Sequence, residues 1–216
     1  MRVVVLALGV LLAFNVNAQN KNSGNRFLLN VDEKFTRDGV IHEDKSDSGE
    51  ITSITESGEK NGVSYKIHYI DGSGSFSVRG SKDSSTPWYS VQDEWSVACK
   101  KDAISDKKYC YLSRKDLFVF IQKNGKASVS VGTDNFPYRR SSIRVDSRKA
   151  ITSPVGNDGD FSAAQSEAIV KEIAAGSGFV TRFVQWPYDS PVDATYESAG
   201  FKEAIEYLRW AIKRIR

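Results

Sequence analysis

Two cysteines, two histidines and one methionine in 216 residues leave little of what metal and redox chemistry draw on. No C-x-x-C, H-E-x-x-H or Asp-rich calcium loop occurs, so His42 and His68 have no ligand set around them. His42 lies among polar neighbours, and His68 alternates with apolar positions. No phosphate-cradling glycine motif is present, and neither metal nor cofactor is expected. Ser73 stands between two glycines, but a strand follows it, whereas a nucleophile elbow requires a helix there. No catalytic residue is therefore assigned. A net charge of +3 is too small to mark a nucleic-acid binder.

Long apolar runs are also missing. Arg2 is followed by an apolar stretch over residues 3–14, well short of the roughly 20 residues that span a bilayer. Small and polar residues then close it with Val16-Asn17-Ala18, so residues 1–18 are predicted to be a cleavable secretory signal rather than an anchor helix. No transmembrane segment is expected after cleavage. No cysteine follows the cleavage site to carry a lipid. The mature chain then starts at Gln19, in the periplasm or outside the cell, with 29 basic residues (30 minus Arg2) against 27 acidic ones.

Export gives the cysteines a simple role. In an oxidising compartment Cys99 and Cys110 are predicted to form one structural disulfide. Each sits in an apolar or aromatic setting, and the charged, turn-forming segment KKDAISDKKY joins them. That pattern predicts two strands pinned at the base of a solvated loop. The ten-residue spacing does not suit a redox pair.

What is abundant is strand pattern. Residues 63–70 alternate Val63, Tyr65, Ile67 and Tyr69 against polar neighbours, and the Asp71-Gly72-Ser73-Gly74 turn leads to a return strand. Residues 117–121, LFVFI, read as a strand covered on both faces. Asn124-Gly125 signals a hairpin into the alternating residues 127–131. Further strands are predicted at 141–145 and 179–186, the latter stopped by Pro187. A first helix follows Asp160, with Ser162 and Gln165 placed for a capping box and Gly176 as its stop. A second starts near Phe201, with Ser198 as N-cap; Phe201, Ala204, Ile205, Leu208, Ile212 and Ile215 form its apolar stripe. Its last turns carry Arg209, Lys213, Arg214 and Arg216, which complement the helix dipole, although a basic helix can also dock on a membrane or partner.

The predicted architecture is mainly β: an antiparallel β-sandwich or curved sheet with two packed helices, one of them C-terminal and amphipathic. One domain over residues 61–216 is expected. Residues 19–60 read as a polar, partly disordered segment, because 44–60 offer only Ile51 and Ile54 for burial. Short strands are read at 27–31 and 39–41, and the linker-like segment is expected to contribute at most one strand that docks on the domain.

From Trp95 onward the order of features resembles the invasion-associated locus B family of bacterial exported proteins. The matching pieces are WSVAC with a second cysteine nearby, SSIRVDSRKAI, the unit SAAQSEAIVKEIAAGSGFVTRF, and the terminal GFKEAIEYLRWAI. They cover about the last 120 residues; residues 19–90 match no part of the pattern, and family members with more cysteines have a richer disulfide arrangement. The resemblance implies a β-sandwich-like exported protein with a role in the envelope or in colonising host cells, and no catalytic site to transfer.

Binding chemistry is suggested instead by arginine. If residues 140–148 are extended, Arg140, Ser142, Arg144, Asp146 and Arg148 share one strand face, with Arg139 pointing away. The three arginines on that face recur about 13 Å apart. Guanidinium forks at that spacing suit phosphates or sulfated sugars, so an anionic glycan or envelope component is the binding partner to weigh, beside an unidentified protein. The favoured reading of the face is an ordinary solvated strand surface with Asp146 as ion partner. A secreted glycan hydrolase is the other class to weigh, since Asp93-Glu94 and Asp158/Asp160 supply paired carboxylates. Those acids also fit simple roles, the first pair as solvation before a strand and the second at a turn and helix start.

Overall fold

The computed structural model describes residues 27–78, 94–122, 124–156 and 158–216. The expected signal segment 1–18, the expected polar leader and the predicted loop at 81–87 with Trp88 and Tyr89 after it lie outside the described residues. Eight strands, β1 (Val40–Lys45), β2 (Ile51–Lys60), β3 (Val63–His68), β4 (Ser73–Val78), β5 (Trp95–Lys101), β6 (Lys108–Arg114), β7 (Leu117–Ile121) and β8 (Ala127–Val131), form one antiparallel sheet in chain order. A second sheet of four strands has the order β10-β9-β11-β12, from β9 (Ser142–Val145), β10 (Ile151–Thr152), β11 (Gly178–Gln185) and β12 (Ser190–Glu197). Two helices complete it, α1 (Ala163–Ala175) and α2 (Phe201–Ile212). The fold is mainly β, antiparallel and sandwich-like, with two packed helices, as the alternation predicts.

Local turn chemistry makes the large sheet a meander. Asn61 and Gly62 join Lys60 to its partner Val63, with φ of 53° and 80°, the two-residue geometry that matches strand twist. Gly125, at φ 83°, sits in the predicted β7–β8 hairpin, closed by the Gln122 amide donating to the Lys126 carbonyl at 2.9 Å. Cys99 and Cys110 are direct cross-strand partners on β5 and β6 and are joined by a disulfide, as expected.

Where composition suggests a linker, the structure has a ten-residue strand, β2, held between β1 and β3. Its scarcity of apolar residues is compensated by a buried polar one. Glu56 is fully buried, and its oxygens accept from the Phe35 amide (2.8 Å), the Thr36 amide (3.1 Å), Tyr65 Oη (2.9 Å) and Tyr69 Oη (2.6 Å). Those bonds tie the preceding loop to the sheet. They also set Phe35 edge-on against Tyr65, Phe76, Tyr207 and Trp210.

The core lies on one face of the large sheet. Tyr65, Ile67, Phe76, Trp95, Val97, Leu112, Val119 and Val129 point into it, and α2 covers the part from β4 to β7 with Phe201, Ala204, Tyr207, Leu208 and Ala211. Gly74 is required by this packing: a Cβ there would lie 2.8 Å from Tyr207 Cε1. α1 lies over β8, where Ser166 Oγ accepts from the Val129 amide at 3.0 Å. Trp95 sits at the junction of both sheets and α2, with its ring 4.9 Å from Phe201 and 6.0 Å from Phe179, and its Nε1 donating to the Ala199 carbonyl at 2.8 Å.

Two local expectations are corrected. β7 is fully buried on only one face: Leu117, Val119 and Ile121 are inside, while Phe118 and Phe120 are half-buried against Tyr111. Ser198 does not cap α2, which starts after Gly200 at φ 82° with no side-chain cap. The Ser198 amide instead donates to the Ser177 carbonyl at 3.0 Å, linking the two ends of the β11–β12 hairpin. At α1 the capping box is present, with the Gln165 amide donating to Ser162 Oγ at 3.3 Å and the Ser162 amide to Gln165 Oε1 at 3.0 Å.

Candidate functional site

The arginine segment is extended over a shorter stretch than its spacing suggests. Tyr138 has φ 64° and Asp146 φ 48°, so chain reversals flank β9 on both sides and the strand spans only Ser142–Val145. Within it, Ile143 and Val145 face the core and Arg144 faces solvent. Arg140 is exposed in the segment leading into β9, and Arg148 lies beyond the Asp146 turn, 3.9 Å from Glu172 of α1. Among the described residues, Arg140 and Arg144 make no ion pair.

Asp146 does not serve the arginine face. Its carboxylate accepts from Ser177 Oγ at 2.7 Å and from the Gly178 amide at 3.0 Å, fastening the α1–β11 connection. The Ser177 hydroxyl, then the Gly178 amide, hold this carboxyl below its ordinary value. Sequence spacing cannot reveal that bond, because Ser177 is 31 residues away.

The second arginine of this surface is one that spacing along a single segment misses. In the β9–β11 register Arg144 opposes Val180 and Ser142 opposes Arg182. Arg144 and Arg182 are thus diagonal neighbours on the solvent face, about 7 Å apart. With Ser142, Ala150, Val180 and Asp193 they line a depression of about 250 Å³. Arg182 is fixed there by a two-pronged bond to Asp193, at 2.6 and 2.5 Å. The signal that could have found it is alternation in 179–184, where Phe179, Thr181 and Phe183 turn inward and Arg182 outward. Arg139 behaves similarly, pairing with Asp189 at 2.8 and 2.6 Å in the β11–β12 loop.

The acidic candidates are dispersed in role. Asp93 lies outside the described residues; Glu94 is half-buried at the start of β5, and burial pushes its carboxyl up. Asp158 and Asp160 are exposed, the first in a left-handed turn and the second bridged to Ser130. A further acid, Asp116 in the β6–β7 turn, is buried between the sheets, where it accepts from Thr181 Oγ1 at 2.7 Å and from the Tyr196 hydroxyl. Burial raises its carboxyl, with the Thr181 bond opposing in part. Beside it the Arg114 guanidinium donates to the Glu197 carbonyl at 2.7 Å and lies over the Trp95 and Tyr196 rings. The Asp116 contacts join the two sheets.

The histidines fall on one row: His42 and His68 both oppose Thr55, from β1 and β3. That places them about 10 Å apart, across one intervening strand. Among the described residues no cluster of three or more His, Cys, Asp or Glu side chains could hold a metal ion. No helix there is long and apolar enough to cross a membrane. No protein-family model, curated protein or solved structure matches the chain.

Proposed function

We propose that this chain is an exported protein of the bacterial envelope that acts by binding rather than by catalysis, in the manner implied by its resemblance to the invasion-associated locus B family. Its partner is an anionic glycan or another anionic component of the envelope. The supporting observation is the solvent face of the four-stranded sheet, where Arg144, which makes no ion pair among the described residues, stands beside Arg182 in one depression. Guanidinium groups held on strands offer rigid, paired donors to phosphate or sulfate oxygens. Arg140 and Arg148 flank that depression along the chain and extend the reach of a long polyanion. Export is supported by the signal-like residues 1–18 and by the disulfide, which persists in oxidising compartments.

The test uses the mature, oxidised protein on an immobilised heparin column. The protein is retained at low salt and released as salt rises, because exposed charges are screened beyond about 8 Å at physiological ionic strength. Passage through the column at low salt contradicts the proposal.

A further inference from the structure

A second concavity lies between the two helices, lined by none of the arginines of the β9 segment. α1 lies over β8 and β9 while α2 lies over β4 to β7, so the helices meet along little of their length. Between them remains a cleft of about 580 Å³, within the range of small-ligand sites. Its floor is apolar, made by Val170 and Ala174 of α1 and Ile205 of α2. Helical spacing brings its rim together. Glu167 and Lys171 are one turn apart on α1, and Lys202, Glu206 and Arg209 follow i, i+4, i+7 on α2.

The charges of that rim are unequal in what they have left to give. Glu206 is paired with Lys60 at 2.8 Å, and Glu167 Oε1 accepts from the Ala127 amide at 2.7 Å. Both carboxylates are engaged on the sheet side. Lys171, Lys202 and Arg209 are exposed and, among the described residues, form no ion pair. Lys202 and Arg209 stand about 10 Å apart along the helix axis, one toward each end of the floor.

We propose that the α1–α2 cleft binds a small amphipathic anion, a free medium-chain carboxylate whose aliphatic body lies on Val170, Ala174 and Ile205. Its carboxylate is met by Lys202 or Arg209, with Lys171 facing it from α1. The two halves of the site each select: the cations reject a neutral molecule of the same shape, and the floor rejects an anion with no body. This binding is independent of the arginine face, which lies on the other sheet.

Isothermal titration of the mature, oxidised protein with octanoate, octanol and acetate tests this. Octanoate is expected to bind at least tenfold more tightly than either control. Lys202→Gln/Arg209→Gln, at exposed positions that leave the core intact, is expected to weaken octanoate at least tenfold. Ala174→Gln, which fills the floor, is expected to abolish octanoate binding, and Arg144→Ser to leave it unchanged. Equal binding of octanoate and octanol, full affinity in the double variant, or no octanoate binding at all would overturn the proposal. So would association of the protein with anionic lipid vesicles through Lys202 and Arg209 in the absence of any response to octanoate.

Discussion

Tyr69 donates its hydroxyl hydrogen to Glu56 at 2.6 Å inside the sheet, linking β2 to the turn after β3. Glu56 is the acceptor for two backbone amides and two phenols at once, so removing it strands several buried donors. A buried group left unsatisfied costs about 1–3 kcal/mol. Glu56→Ala is therefore expected to lose about 3 kcal/mol or more in urea unfolding, and to expose the 31–39 loop to protease. Unchanged stability would show that the loop is held by its other contacts, among them Phe35 packing, the Arg214–Glu33 ion pair and the Tyr69 hydroxyl donating to the Glu33 carbonyl.

The same cluster predicts behaviour at high pH. Burial, with hydrogen bonds and charge from Glu56, raises Tyr65 from 10.0 to about 12, and Tyr69 and Tyr207 are raised as well. A phenol whose folded value is raised keeps its proton in the fold and releases it more readily when unfolded. Stability from these groups is present below pH 10 and falls as pH rises toward 12 and beyond. Absorbance at 295 nm should show these phenols titrating only together with the loss of near-ultraviolet circular dichroism.

Asp116 gives an acid-side counterpart with a definite sign. Its carboxyl is raised above the ordinary 3.8 by burial, so the folded state holds that proton more tightly than the unfolded chain. The group's contribution is greatest below 3.8 and declines as pH rises through the folded value. The stability advantage of the parent over Asp116→Asn is thus expected to shrink as pH increases from 3.5 to 7. An advantage that grows over this range would show the carboxylate to be the favoured form.

Cys99→Ser/Cys110→Ser is expected to lower stability by about 3 kcal/mol, as closure of a short loop implies. The fold should persist, because both positions already face each other in the β5–β6 register. Thiol titration of the unfolded, unreduced parent should find no free thiol.

The sequence made one face of several strands legible, but not β2 or β12, and the joints between elements much less so. Alternation and the Asn124-Gly125 signal place β3, β4, β7 and β8, and Ser162 with Gln165 places the start of α1. The same Asn-Gly signal stands at 61–62, where a polar strand on one side hides it. β2 escapes composition because its anchor is Glu56, whose partners Phe35, Thr36 and Tyr69 are brought together by the fold. α2 begins at a left-handed glycine instead of at a capping hydroxyl, so Ser198 misleads by two residues. Of the candidate site, Arg144 is legible as an outward strand residue. Its neighbour Arg182 depends on the β9–β11 register, and the α1–α2 cleft depends on how two separate helices settle on one sheet.

Whether an anionic partner is held on the arginine face decides the proposed function. The most direct measurement compares the parent with Arg140→Ser/Arg144→Ser/Arg148→Ser on heparin, with Tm recorded for both. The triple variant is predicted to lose retention while Tm stays within a few degrees, since all three side chains are exposed and, among the described residues, only Arg148 of the three is ion-paired, at 3.9 Å. Retention equal to the parent would contradict the proposal.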